Sequence, residues 1–415
     1  MRCLAVILIL FACGAPAQSS RVLVIDIDDL GWDMLASTPT PTFDRLSAEG
    51  RRFTRFHTTP MCSPSRARLQ LGALGSHPLV LCGHTVKPNL DYELPLGPLI
   101  PLPRLATEHG RTTAKIGKWH LAPNDRPEHP NQFGWQTYAG AFANLNLANP
   151  GDFFAYQKIV DGERIWHDVY VTTDETNDAI RCVEERVDLI SVSYHAIHNP
   201  YHVPPPELYD GPPPTSDFEM AQAMLQALDL ELGRLLDAAL AADYTVFVLS
   251  DNGTSTKIGG GKGHLVPGGV IVPMWVVGPG VVPGTDDEWV DIVDLYATVA
   301  DVMGIPRDRP AEQGPDSISF APRLYGSPGA TREAVYSEFW LPNGKDPRQL
   351  GPKQTWYQSL RTREWALISN DKNDLGLRFH DRILDPREEH DLLERGMDAA
   401  ARDAMERLLT MLAGI

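Results

Sequence analysis

The sequence predicts an α/β fold, a mixed or parallel sheet flanked by helices. Three observations carry this. Short β-branched apolar runs recur at 21–27 (RVLVIDI), 187–193 (VDLISVS) and 244–250 (YTVFVLS), as expected of strands buried on both faces. Between the second and third runs, Leu225, Leu228, Leu232, Leu235, Leu236 and Leu240 recur at helical spacing within 218–242, so one helix face is buried. Strands alternating with such helices build layered α/β sheets. Lastly, each of the three runs leads into acidic, amide or histidine residues.

Taken in order, the first run ends at Asp28-Asp29-Leu30-Gly31. The second leads into Tyr194-His195-Ala196-Ile197-His198, and the third into Asp251-Asn252-Gly253. A fourth run, 270–277, contains Pro273, which predicts an edge or a bulge. In open α/β sheets the C-terminal strand ends are where ligands bind. Asp and Asn also start turns, but three strand ends with metal-type ligands point to a site. Asp28, Asp29, Asp251 and Asn252 form an all-oxygen set suited to Ca²⁺ or Mg²⁺. Adjacent aspartates on a strand point to opposite faces, so both reach one ion only where the backbone turns.

Length and composition bound the rest. A chain of 415 residues predicts one large domain and a smaller C-terminal one. Apolar content of 43% and charged content of 22% are ordinary for a globular protein with a sizeable core. The 35 prolines are interleaved with apolar runs and predict stiff loops. A net charge of −17 excludes a broad nucleic-acid surface, while leaving room for a locally basic pocket. Arg2, the apolar stretch 4–12 and Ala15-Pro16-Ala17 predict an export signal over 1–17, hence a periplasmic, extracellular or secretory location. The alternative is a lipid anchor at Cys13, since 10–13 (LFAC) loosely resembles a lipobox. No other stretch is long and apolar enough for a transmembrane segment. Signal removal leaves Cys62, Cys82 and Cys182; a Cys82–Cys182 disulfide is expected, leaving Cys62 for chemistry.

The segment Met61-Cys62-Ser63-Pro64-Ser65-Arg66 is the most informative. Ser63 before Pro64 predicts an N-cap followed by a first helical residue. Cys62 then sits at a helix mouth, where backbone N–H groups favour an anion. Arg66 adds a planar fork suited to sulfate or phosphate oxygens.

Cys62-Ser63-Pro64-Ser65-Arg66, with Gly72 closing it, resembles the sulfatase signature cysteine-x-proline-serine-arginine. Other segments resemble the same family in the same order: 27–31 (IDDLG), 40–46 (TPTFDRL), 117–121 (GKWHL), 198–200 (HNP), 249–253 (LSDNG) with Lys262, and 379–392 (FHDRILDPREEHDL). Gln70-Leu71 stand where the family has a hydrophobic residue and threonine, and Pro267-Gly268-Gly269 where it often has Glu-Gly-Gly. Ile271 takes the place of a usual basic residue.

The resemblance implies an alkaline-phosphatase-like α/β fold: a large mixed sheet over 18–320 and a small C-terminal antiparallel-sheet subdomain over 321–415. It implies that Cys62 is oxidised to formylglycine by a formylglycine-generating or other sulfatase-maturing enzyme. The aldehyde hydrate attacks the sulfur of a sulfate ester, and its second hydroxyl then expels sulfate. Asp28, Asp29, Asp251 and Asn252 hold Ca²⁺ (or Mg²⁺) together with the converted Cys62. Arg66 and Lys118 hold the diol and sulfate charge, His120 takes the diol proton, and His198 and Lys262 face the leaving group. His195 and His202 flank His198 at the rim. Substrate selection is expected in the irregular loops 124–152 and 201–216. Three other readings stay open, the first of which would use the same residues. One is a phosphodiesterase or phosphonate monoester hydrolase of the same superfamily. Another is a catalytically silent sulfated-glycan binder with Cys62 unconverted. The third, a zinc enzyme, lacks a closed ligand set of the usual spacing.

Overall fold

The structure is a computed structural model, and it describes residues 21–87, 92–145, 151–350, 355–369 and 376–415. The expected export signal and Cys13 lie outside the described residues, as do 146–150 of the first expected specificity loop. No described helix is long and apolar enough to cross a membrane.

A large sheet contains β1 (Val22–Ile27), β2 (Arg51–His57), β3 (Thr113–Gly117), β4 (Thr137–Gly140), β5 (Tyr156–Val160) and β6 (Glu163–His167). It also holds β7 (Leu189–Tyr194), β8 (Thr245–Ser250), β9 (Ile271–Val277), β10 (Gly284–Asp286) and β11 (Val290–Asp291). Its order is β10-β2-β9-β8-β1-β7-β3-β4-β5-β6, with β11 also on β2. The central strands β8, β1, β7, β3 and β4 run parallel, and antiparallel pairs lie on either side, so the sheet is mixed. β3 (TAKIG) escapes periodicity reading because a lysine and a glycine break its five residues. Pro273 lies inside the sheet, since β9 has β8 on one side and β2 on the other. The irregularity it demands is a register shift in the β2–β9 pair between Phe53 and Phe56.

Alternation along β1 sends Val22 and Val24 into one core, and Leu23, Ile25 and Ile27 into the other. The first core contains Cys82 and the second Cys182. The two thiols are free and buried on opposite faces of the sheet, which corrects the expected disulfide. The helix Asp217–Ala241 is the predicted amphipathic one, opened by a reciprocal capping box between Ser216 and Glu219.

A second sheet of four antiparallel strands comprises β12 (Val335–Trp340), β13 (Trp356–Arg361), β14 (Trp365–Ser369) and β15 (Leu377–Asp381). The helix Ala399–Ala413 covers it through Ala401, Ala404 and Leu408. This sheet is keyed to the helix Cys62–Leu71. Fully buried Arg68 donates from Nη1 to Tyr336 O at 2.8 Å and from Nη2 to Glu338 Oε1 at 3.3 Å, and contacts Asp291 at 3.4 Å. Removing Arg68 leaves two buried carboxylates without their cation. Arg68→Met is expected to cost about 3–5 kcal/mol of stability, read as a lower urea midpoint. An unchanged midpoint would show that this tether does not stabilise the fold.

Candidate active site

Parallel pairing brings four strand ends to one edge. Ile27 of β1 is level with Ser250 of β8 and Tyr194 of β7, and Gly117 of β3 with Ser193. The next residues are therefore neighbours: Asp28 and Asp29, Asp251 and Asn252, His195 to His198, and Lys118 to His120. Asp29 adopts φ 65°, the left-handed turn needed to bring its carboxylate beside that of Asp28. Ligand atoms of Asp28, Asp29, Cys62 and Asp251, all buried, lie within 4.8 Å of one another.

The helix Cys62–Leu71 delivers the cysteine. Met61 is its N-cap, so the helix starts earlier than the Ser63–Pro64 pair predicts and Cys62 is its first residue. Ser63 is occupied elsewhere: its Oγ donates to His120 O at 2.7 Å and accepts from Val86 N at 2.9 Å. Gly72 closes the helix at φ 59°, its N–H donating to Arg68 O. A Cβ there would meet Gly314 Cα at 2.6 Å, so glycine is required both for conformation and for space.

Cys62 Sγ lies 3.3 Å from Asp28 Oδ1 and 3.4 Å from Lys262 Nζ. Lys262 also reaches Asp29 Oδ1 at 2.5 Å, and Lys118 pairs with Asp28 Oδ2. Arg66 donates from Nε and Nη2 to Asp251 Oδ2 at 3.1 and 2.7 Å. Asn252 Nδ2 donates to Asp29 Oδ1 at 2.7 Å. His198 Nε2 is 3.9 Å from Asp29 Oδ2. His120 is buried at φ 62°, with Nδ1 lacking a hydrogen-bond partner among the described residues. Every residue expected at the site is thus in or beside one cluster. His195 is packed behind it on Glu175 at 2.5 Å, and His202 lies against Tyr170 and Phe153.

Electrostatics follow from burial among opposed charges. Burial raises the Asp28 carboxyl, yet Lys118, His198, Lys262 and Arg66 together hold it well below the ordinary range. Asp251 is pushed up to about 7 by burial and by Asp28, against the pull of Arg66. Burial, together with the Asp28 charge, pushes the Cys62 thiol far up. Burial, helped by Lys262, lowers His198 to about 4, and burial with Lys118 lowers His120. Asp29 Oδ2 and Asn252 Oδ1 are buried with no hydrogen-bond partner among the described residues. Two unpartnered oxygen acceptors within a carboxylate cluster are what a hard cation would satisfy.

Sequence reasoning missed two residues here. Asp26, inside the first apolar run, lies 2.6 Å from Arg66 Nη1, and Lys115 lies 3.8 Å from Asp26. The available signal was a charge inside a strand otherwise buried on both faces.

Comparison with known proteins agrees with this geometry. The sulfatase family model matches residues 20–305. N-acetylgalactosamine-6-sulfatase of Sus scrofa is 27% identical over 358 residues, covering 75% of this chain and 67% of its own. Human arylsulfatase A is 28% identical over 392 residues, covering 80% and 73%. The crystal structure of Ps i-CgsB superposes with a TM-score of 0.77 at 20% identity, over 95% of this chain and 93% of that one. A structure in complex with its substrate D-glucosamine-2-N,6-O-disulfate does so with a TM-score of 0.70 at 17% identity, over 94% of this chain and 97% of that one. The chain belongs to the sulfatase family, the hydrolases of sulfuric esters.

Proposed function

We propose that the chain hydrolyses a sulfate ester on a carbohydrate, with Cys62 converted to formylglycine by a maturation enzyme and a divalent cation, Ca²⁺ or alternatively Mg²⁺, at the carboxylate cluster. The observation that carries this is the placement of Cys62. It opens a buried helix, with Sγ between Asp28 and Lys262, in a cluster whose oxygen acceptors are incompletely satisfied. The names of the relatives support the substrate class: one removes sulfate from an amino sugar, and the fold is shared with a protein holding a sulfated glucosamine. Export ahead of the catalytic unit 18–320 is part of the same reading.

The residues Asp28, Asp29, Asp251 and Asn252 would hold the cation, together with the converted side chain. The cation would add positive charge that draws electrons from sulfate oxygens and acidifies the nucleophile. The conversion itself supplies a hydrated aldehyde, one hydroxyl to bond sulfur and a second whose deprotonation lets sulfate leave as the carbonyl re-forms. The chain's own groups do the rest. Lys118 and Lys262 hold negative charge around the nucleophilic atom and the sulfate. Arg66, gripping Asp251, keeps that carboxylate in place and adds positive charge. Neutral His120 is the acceptor for the hydroxyl proton. Lys262, held protonated by Asp29, gives a proton to the alcohol as its oxygen parts from sulfur, and neutral His198 faces the leaving group beside it.

The test is release of inorganic sulfate from sulfated mono- and oligosaccharides, against matched phosphate esters. Sulfate esters are expected to be cleaved at least about tenfold faster than their phosphate counterparts. Chelation should abolish release and added Ca²⁺ restore it. Faster phosphate-ester cleavage would favour the phosphodiesterase reading instead.

A further inference from the structure

Beneath the cluster lies a second set of buried charges. Asp26 is 2% exposed in a strand whose other residues are apolar. Alternation puts it on the same sheet face as Ser191, Ser193 and Lys115, because register pairs Asp26 with Ser193, and Ser191 with Lys115. Lys115 Nζ donates to Ser193 Oγ, and to Ser191 Oγ at 3.1 Å, and lies 3.8 Å from Asp26 Oδ1. Ser193 Oγ in turn donates to Asp26 Oδ1. The second carboxylate oxygen, Oδ2, meets Arg66 Nη1 at 2.6 Å. The other edge of that guanidinium holds Asp251 Oδ2. Asp251 Oδ1 is left on the Asp29 side, where it accepts the Asp29 N–H at 3.3 Å.

We propose that Asp26, braced by Lys115 and Ser193, is a positioning residue for the reaction: it fixes Arg66 and, through Arg66, the carboxylate of the cation ligand Asp251. The inference rests on the proposed cation site. Arg66 is hydrogen-bonded to Asp251 along one edge, while Nη1 is ion-paired with Asp26 without hydrogen-bond alignment; charge on both sides restrains the fork and so orients the Asp251 carboxylate. Formal charge is also matched. Asp26, Asp28, Asp29 and Asp251 face Arg66, Lys115, Lys118 and Lys262 in ion pairs. Asp26 with Lys115 adds no net charge to the site. A buried ion pair can often be exchanged for apolar residues with little loss of stability, so the exchange separates positioning from stability.

That exchange is the test. Asp26→Leu combined with Lys115→Met removes both charges and leaves no unpaired buried ion. Ca²⁺ affinity is measured by calorimetry beside the thermal midpoint and kcat, with wild type at the same degree of Cys62 conversion. The expected result is a retained midpoint with Ca²⁺ affinity weakened about 10–100-fold and kcat lowered. A folded double variant that binds Ca²⁺ and turns over like wild type overturns the proposal. Should the double variant not fold, Asp26→Asn, which keeps the shape, decides by the same measurements: loss of Ca²⁺ affinity supports positioning, and unchanged affinity overturns it. Wild-type protein that binds no divalent cation would overturn the proposed cation site itself, and this inference with it.

Discussion

Cys62→Ala protein is expected to fold and take up the cation, yet lose sulfate-ester hydrolysis by about 10⁴-fold or more, as when a covalent nucleophile is removed. The change deletes one sulfur atom from a buried first helical residue, a small packing loss of about 1–2 kcal/mol. No nearby side chain can substitute. Ser63 is turned away onto His120 O and Val86 N, and Ser65 Oγ is engaged with Thr59. The check is sulfate release at saturating substrate, with the thermal midpoint measured in parallel. A well-folded variant keeping more than about 1% of wild-type rate would place the nucleophile elsewhere.

Asp251→Ala is expected to act on both function and fold. Its carboxylate is a proposed cation ligand and also the acceptor for two N–H groups of buried Arg66. Truncation leaves that guanidinium with Asp26 alone, at a cost of about 3–5 kcal/mol, the usual penalty for breaking a buried pair from one side. Activity should fall by roughly 10³-fold or more through loss of the cation and of electrostatic stabilisation. Metal content after gel filtration and a urea melt read the two effects separately. Full metal occupancy in a folded Asp251→Ala protein would remove Asp251 from the ligand set.

Strands β1, β7 and β8 were legible because they are buried on both faces and read as short, mostly apolar runs. Their ends were legible for the complementary reason: Asp28, Asp29, Asp251 and Asn252 stand where a buried strand meets an open edge. The turn that unites Asp28 and Asp29 followed from strand geometry, and φ 65° at Asp29 is its realisation. What escaped was whatever depends on which side of the sheet a residue faces. An odd thiol count cannot show that Cys82 and Cys182 lie on opposite faces. Asp26 and Lys115 sit inside strands, where single-strand periodicity gives no sign that three neighbouring strands point polar groups at one helix. Ser63 carries a helix-start signature, but the contacts of its Oγ with His120 and Val86 shift the cap to Met61. Local propensity yields there to packing around the site.

The central claim is that Cys62 acts only after conversion to an aldehyde. Its thiol is deeply buried, and burial with the Asp28 charge pushes its pKa up, which disfavours the nucleophilic thiolate. The most direct measurement pairs peptide mass spectrometry at Cys62 with the rate of sulfate release, across preparations made with and without a maturation enzyme. The account predicts a rate proportional to the fraction converted, passing through zero for protein carrying only the thiol. Unconverted protein that hydrolyses sulfate esters as fast as converted protein would contradict it.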